Sequence, residues 1–407
     1  MLNYLELKKK YGTPLYVYDV DMMQSILEEY KTNFCSTQFS TEIIYASKAF
    51  NIKALLRIID RNGLSLDVVS LGELFTARSI DFPMEKIFFH GNNKSVEEIK
   101  YALDLKIGYI VVDNLEELKR IYNLSEERKQ TVNLLIRLNV GVEAHTHKFI
   151  VTAHVDSKFG VLYQSKEYLE MLDVIKHANY LKLEGFHSHI GSQIFDMSAF
   201  DAAIQKLIAI CKDFSTPMIL NLGGGFGAKY VETDKPVPIA QLAKHLIQTV
   251  EREASKEHVT LKKLCIEPGR SIVCEAGTTL YTIGSIKETP NRLYYFIDGG
   301  MTDNIRPALY QANYHAEIVG KENAFKNKVV TVAGKCCESG DIIIERILLP
   351  EAKPNDLLVT YSTGAYGYAM SSNYNKALTP AVVFVEKGTD RLVVKRQTLE
   401  ELIKREL

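Results

Sequence analysis

The chain has no excess of either charge: 49 Lys and Arg stand against 50 Asp and Glu, a formal net charge of −1 over 407 residues. A nucleic-acid or anionic-membrane partner would need a basic patch that this balance does not supply, so the expected partner is a small molecule. Long apolar runs are missing too. Nowhere do about 18 apolar residues follow one another, the length a spanning helix needs, and the opening Met1-Leu2-Asn3-Tyr4-Leu5-Glu6 has no apolar signal-like core. The default setting is the cytoplasm, away from any membrane. Six cysteines, at 35, 211, 265, 274, 336 and 337, are too few for a disulfide framework and include no CxxC pair, so neither a stapled fold nor a zinc site is expected. Repeats, low-complexity tracts and Pro/Ser linkers are also lacking.

What the chain does have is a regular alternation. Hydrophobic residues make up 46%, enough for a large core and two domains. Short apolar runs at 41–49, 64–70, 85–91, 107–114, 132–139, 183–191, 217–225 and 262–270 read as strands. Helical periodicity fills the gaps. At 50–62, Ile52, Leu55, Leu56 and Ile59 share one face and Gly63 is a stop signal; 166–178, 199–214 and 240–254 are amphipathic. Ser95 with Glu98 and Asn114 with Glu117 are N-cap signatures. Eight strand and helix units predict an α/β chain built on a (β/α)8 TIM-type barrel, with an open doubly wound sheet as the alternative.

The gap at 140–164 is long for a compact domain and carries His145, His147, Lys148, Lys158 and Gly160. Loops of that kind usually serve active sites, a lid being one reading of a role the sequence leaves open. After Ser271 the pattern changes to turn-separated strands at 278–287, 292–297, 328–333, 341–348, 356–362 and 381–394, which predicts a C-terminal all-β domain. A strand at 13–19 precedes the barrel and joins that domain. The expected organisation is a barrel over 28–268 and a discontinuous β domain over 1–27 and 269–407.

Lys48, in Ile43-Ile44-Tyr45-Ala46-Ser47-Lys48-Ala49, reads as an amine delivered by a buried strand end. Burial disfavours the ammonium, which is what a Schiff-base lysine requires, although a lone strand-end lysine ordinarily reaches for water. Other motifs converge on it. Gly223-Gly224-Gly225-Phe226-Gly227 follows the seventh strand and Glu267-Pro268-Gly269-Arg270 closes the eighth, where barrels place phosphate sites. His187-Ser188-His189-Ile190-Gly191-Ser192-Gln193 ends the sixth. Strand alternation puts His187 and His189 on one face, a pair too small for a zinc site, so the better use is an imidazole packed on an aromatic ring with Ser192 as a phosphate donor. A lysine, a phosphate site and an imidazole together point to pyridoxal phosphate, with Glu267 against the pyridine nitrogen and Asp67 as a second carboxylate near the lysine.

These motifs resemble those of the barrel-type pyridoxal-phosphate decarboxylases. Asp298-Gly299-Gly300-Met301-Thr302-Asp303-Asn304-Ile305-Arg306-Pro307-Ala308-Leu309-Tyr310, Cys337-Glu338-Ser339-Gly340-Asp341, Gly364-Ala365-Tyr366-Gly367 and Ser372-Asn373-Tyr374-Asn375 are similar to the diaminopimelate decarboxylases in particular. The resemblance runs from about Tyr11 to about Val394. It implies that Lys48 carries the cofactor, that His189 stacks on its ring and that Glu267 meets its nitrogen. Ser192, Gly225, Gly269 and Arg270 would hold the phosphate, with Tyr366 nearby. Arg270, Arg306, Tyr310 and Tyr366 would meet the substrate, the guanidiniums taking a distal carboxylate and Glu338 a distal ammonium. Cys337 is the candidate proton donor. In this family Cys337 and Glu338 reach the site from a second subunit, which implies a homodimer with shared active sites. The implied reaction converts meso-2,6-diaminopimelate to L-lysine and carbon dioxide, the last step of bacterial-type lysine synthesis. Related decarboxylases of ornithine, arginine or carboxynorspermidine are the rival reading, followed by a racemase and by an inactive regulatory homologue.

Overall fold

The computed structural model describes residues 2–142 and 156–407. His145, His147 and Lys148 of the long loop therefore lie outside the described residues. The chain divides into two compact units: Leu27–Gly227 with Pro236–Gly269, and Met1–Ile26 with Ala228–Lys235 and Arg270–Leu407. Among the described residues no helix is long and apolar enough to cross a membrane.

The first unit is a closed barrel. Its eight parallel strands are Ser40–Ala46, Ser65–Val68, Ile87–Phe89, Tyr109–Val112, Val132–Asn139, Leu181–His187, Met218–Asn221 and Leu261–Ile266, each paired with the next. The eighth returns to the first, with Lys263 opposite Ser40 and Ile266 opposite Ile43. Closure removes both sheet edges, which an open doubly wound sheet would keep. Ile44, Phe88, Val111, Leu135, Ile219 and Cys265 form one buried layer inside the barrel, the side-chain filling that makes such a barrel a packed core. Helices follow the strands as their periodicity predicts. Lys53–Arg61 buries Leu55, Leu56, Ile58 and Ile59, and Val96–Asp104 begins with a reciprocal capping box between Ser95 and Glu98.

Seven of the eight expected strands run too far at their C-terminal ends, four of them by three or four residues. The first stops at Ala46 and is followed by a one-turn 3-10 helix, Ser47–Ala49. The sixth, seventh and eighth stop at His187, Asn221 and Ile266. Gly191, Gly223 and Gly225 have φ values of +149°, +66° and +100°, which turn the backbone out of the ladder. The chain leaves the sheet where the candidate site residues begin.

The second unit is built on a nine-stranded mixed sheet. Leu15–Asp19 lies inside it, antiparallel to Gly277–Glu288 and parallel to Ala381–Glu386. Leu15, Val17, Leu280, Val359 and Val383 form its core with Leu7 of the first helix. One strand, Ala316–Ile318, has no counterpart in the sequence reading, because three residues are too few to show alternation.

One buried ion pair fixes the loop after the third barrel strand. Lys94 and Glu117 have side chains only 1% and 0% exposed. The Lys94 ammonium donates to Gly91 O at 2.9 Å, Val111 O at 2.8 Å and Glu117 Oε1 at 2.6 Å, which uses all three of its protons. Burial raises the Glu117 pKa even with this cation beside it. Removing one partner of such a pair leaves a stranded charge. Lys94→Met is expected to destabilise the barrel by about 3–5 kcal/mol, read as a fall in the urea midpoint, and K94M/E117L should recover much of that loss.

Candidate active site

Every candidate group in the barrel unit sits at or just beyond the C-terminal end of a strand. Lys48 lies in the 3-10 turn after the first strand. Its side chain is 40% exposed, not buried as the strand reading expects, and its Nζ donates to Asp67 Oδ2 at 3.2 Å. A carboxylate, and not desolvation, is therefore what the amine meets. The turn explains the difference: a residue past the end of the ladder is lifted toward the barrel mouth, where an incoming aldehyde can reach it.

Glu267 follows the eighth strand and is the hub of a buried polar cluster. Asn221 Nδ2 donates to its Oε1 at 2.8 Å. His187 Nε2 is 3.2 Å from Oε2, and His90 Nε2 is 2.8 Å from Oε1. Burial alone would push the Glu267 pKa up; the imidazoles of His90 and His187 more than offset this and hold it well below the usual carboxylate range. Burial lowers the His187 pKa to about 4 against the pull of Glu267. His187 is thus neutral near pH 7, its proton on the Nε2 that faces Glu267. Asn221 and His187 are its two hydrogen-bond donors, which leaves an ionised carboxylate part of its roughly four lone-pair sites open.

His187 and His189 do not act as a pair. His187 ends its strand and serves Glu267, whereas His189 lies beyond it and accepts the Gly224 N–H on Nδ1 at 3.1 Å. That bond places the His189 proton on Nε2. Burial, with Lys48 and Arg137 nearby, keeps its pKa well below the ordinary value, so the ring is neutral. His187 joins His90 and Glu267 in a group whose ligand atoms lie within 4.8 Å of one another. Within that group His187 donates to the carboxylate.

The glycine run is interlocked with the loop after the sixth strand. Ile194 N–H donates to Gly225 O at 2.9 Å, and Ile194 and Phe226 form a bridge. A Cβ on Gly225 would stand 2.3 Å from Gly191 O, and one on Gly224 would stand 2.2 Å from Glu267 O. No other residue fits these approaches. Ser192 belongs to the same loop, and a Cβ on Gly269 would press on Ala46 at 2.9 Å.

The β-rich unit gathers a second set. Arg270 and Arg306 are 8% and 6% exposed. Arg270 hydrogen-bonds the Tyr230 hydroxyl and stacks 4.8 Å from the Tyr366 ring. The Arg306 guanidinium donates to Tyr314 Oη at 2.5 Å and lies 4.7 Å from the Tyr230 ring. Arg306 has no carboxylate partner among the described residues. Tyr310 ends the short helix Arg306–Tyr310 and is half-buried. Cys337 and Glu338 are exposed and touch other residues: Asn375 Oδ1 accepts the Cys337 N–H at 3.2 Å, and the Tyr374 hydroxyl bonds Glu338. Cys336 is half-buried, and burial followed by nearby Asp341 pushes its thiol up to about 11.

The chain matches the family model described as "Pyridoxal-dependent decarboxylase, pyridoxal binding domain" over residues 22–274. It is 47% identical to the diaminopimelate decarboxylase of Bacillus subtilis over 99% of its own length and 93% of that protein's. The chain belongs to the pyridoxal-dependent decarboxylases. Two solved structures agree. The diaminopimelate decarboxylase of M. jannaschii in co-complex with L-lysine superposes with a TM-score of 0.92 at 33% identity, covering 99% of this chain and 94% of that one. That of Helicobacter pylori complexed with L-lysine gives 0.89 at 31%, covering 99% and 98%.

Sequence reading missed several residues of the two clusters. His90 and Asp113 each directly follow a barrel strand, close to the strand-end position of Asp67, and they carry that positional signal alone. Arg137 lies opposite His187 in the register, 3.9 Å from Asp113 and 4.5 Å from the Phe159 ring. Asn221 ends the seventh strand. Tyr230 and Tyr314 have no local signal, since a tyrosine that braces a guanidinium looks like any other in sequence.

The His187 pKa has a measurable consequence. Its folded value of about 4 lies below the ordinary 6.5, so the unfolded chain binds the proton first and stability falls as pH drops through that window. The loss attributable to His187 is about 3 kcal/mol, and depressed His189 and Glu267 act in the same direction. Urea midpoints measured between pH 7 and pH 4 should fall, and His187→Gln should make that fall visibly shallower.

Proposed function

We propose that this decarboxylase converts meso-2,6-diaminopimelate to L-lysine and carbon dioxide with pyridoxal 5'-phosphate as cofactor. Its relatives at 47% identity are named for that substrate. The observation that carries the reading is the pair of buried guanidiniums, Arg270 and Arg306, braced by tyrosines, with no carboxylate of the described residues on Arg306. Two planar forks suit a substrate whose far end bears a carboxylate. Ornithine and arginine have none there.

The barrel residues fit the cofactor. Glu267 is ionised and retains open lone-pair sites, as a partner for a protonated pyridine nitrogen needs, and Gly223 and Gly225, at positive φ, shape a backbone loop of the kind that presents N–H groups to a phosphate. Lys48 would hold the cofactor covalently, with Asp67 keeping its amine in place. His189 would lie on the ring; Ser192, Gly225, Gly269, Arg270 and Tyr366 would hold the phosphate. Bound there, the cofactor supplies an electron sink for the carbon that loses carbon dioxide. Neutral His189, with its proton on Nε2, packs and does not take the reaction's proton. Arg270, Arg306 and Tyr310 orient the distal carboxylate, and Glu338 the distal ammonium.

Cys337 Sγ gives the proton to the carbon that has lost its carboxylate. The exposure of Cys337 and Glu338 in the single chain supports a homodimer in which each subunit lends these two residues to the other's site. All six cysteines are free, which supports a cytoplasmic setting.

The purified protein loaded with pyridoxal phosphate is expected to release carbon dioxide from meso-diaminopimelate with equimolar L-lysine, and to leave L-ornithine and L-arginine untouched. A preference for either of the latter would overturn the reading. Arg306→Met should raise KM for diaminopimelate by about 10- to 100-fold, the loss of a charge-assisted contact, with kcat changed far less.

A further inference from the structure

Two deeply buried atoms between the site's carboxylates lack a hydrogen bond. His90 Nε2 lies 2.8 Å from Glu267 Oε1, yet off the direction a hydrogen bond requires. Asp67 Oδ1 has no donor either, and the nearest imidazole nitrogen is that same His90 Nε2, 3.9 Å away. The residues are 4% and 1% exposed. Buried polar atoms are seldom left so, and each such case calls for a physical reason.

The neighbours narrow it. Glu267 has other donors, Asn221 on Oε1 and His187 on Oε2, so His90 is not needed to satisfy it. Asp67 is bonded through Oδ2 to Lys48 and lacks a donor on Oδ1 only. The His90 backbone is fixed: its N–H donates to Val68 O at 2.8 Å, and the following turn is tied down by Lys94. His187 stands edge-on to the ring at 4.7 Å. The imidazole therefore has its own side-chain torsions as its freedom, and its Nε2 lies within reach of both carboxylates.

We propose that His90 is a positioning residue that links the two acids of the site. It ties the Lys48–Asp67 pair, at the aldehyde end of the cofactor, to Glu267, at the ring-nitrogen end, so that a change of charge at one carboxylate is felt at the other. The proposal rests on the placement of pyridoxal phosphate on Lys48 and Glu267.

A double-mutant cycle read on cofactor binding tests it. The dissociation constant for pyridoxal 5'-phosphate is measured by its visible absorbance for the wild-type chain, Asp67→Asn, Glu267→Gln and D67N/E267Q, and again for all four with His90→Phe. With His90 present, the double variant should depart from the product of the single effects by about fivefold or more. With His90→Phe the effects should multiply to within about twofold. His90→Gln, which keeps an N–H near the same place, should restore part of the coupling, and His90→Asn, too short to reach, should not; this second pair decides the matter if the phenylalanine variant does not fold. A residue that merely fills space would shift every dissociation constant alike and leave the coupling unchanged. Equal coupling with and without His90, or none with it, overturns the bridge while leaving the cofactor assignment standing. A wild-type chain that binds no pyridoxal phosphate would overturn both.

Discussion

A carboxylate kept ionised in the interior of a barrel is the constraint on which this site depends. Glu267 has lost nearly all contact with water, which by itself would neutralise it. His90, His187 and Asn221 come from three different strand ends to prevent that. Only a closed barrel brings the ends of the third, sixth, seventh and eighth strands to one point while its inner layer of Ile44, Phe88, Val111, Leu135, Ile219 and Cys265 stays packed beneath. The architecture and the charge state of one residue are therefore tied together.

The imidazoles divide the labour by hydrogen bonding more than by position in sequence. His187 and His189 are two residues apart, and both are neutral for the same reason, burial. One donates to an acid and the other accepts from a backbone amide. A neutral ring with its tautomer fixed from behind can cover a flat ligand without exchanging protons with it, which leaves proton transfer to other groups.

The eight strands were legible because short apolar runs set between amphipathic helices seldom fold as anything but strands of a covered parallel sheet, and the strand at Leu15–Asp19 was legible from its aromatic and β-branched residues. The clustering of Lys48, the glycine run and Glu267 at strand ends was legible as well, since such groups follow a positional rule. What stayed hidden follows from the same physics. Strand ends overextend in a sequence reading because glycines and small residues between apolar neighbours resemble a strand until their positive φ is known. Alternation makes Lys48 look buried because it cannot reveal a 3-10 turn. His90 and Lys94, in the same stretch of chain, look like a loop histidine and a surface lysine; their meaning lies in partners such as Glu267 and Glu117, far away in sequence. Cys337 and Glu338 are exposed in the single chain, and the roles proposed for them involve a second copy, whose contacts no stretch of one sequence displays.

The interlock between the glycine run and the loop after the sixth strand has a consequence for how such a protein can change. Gly225 and Gly191 sit so close that neither loop can gain a side chain, or an inserted residue, without displacing the other. The two loops can only drift as one piece, and drift in either disturbs His189 through its bond to Gly224. Arg306 is held differently, by a hydroxyl contact with Tyr314 and by stacking on the Tyr230 ring. Under the proposed assignments, Arg306 and Tyr314 could change in small steps, while the glycine loops tolerate almost no editing. The packing of the glycine loops therefore constrains this end of the barrel far more tightly than the guanidinium cluster is constrained.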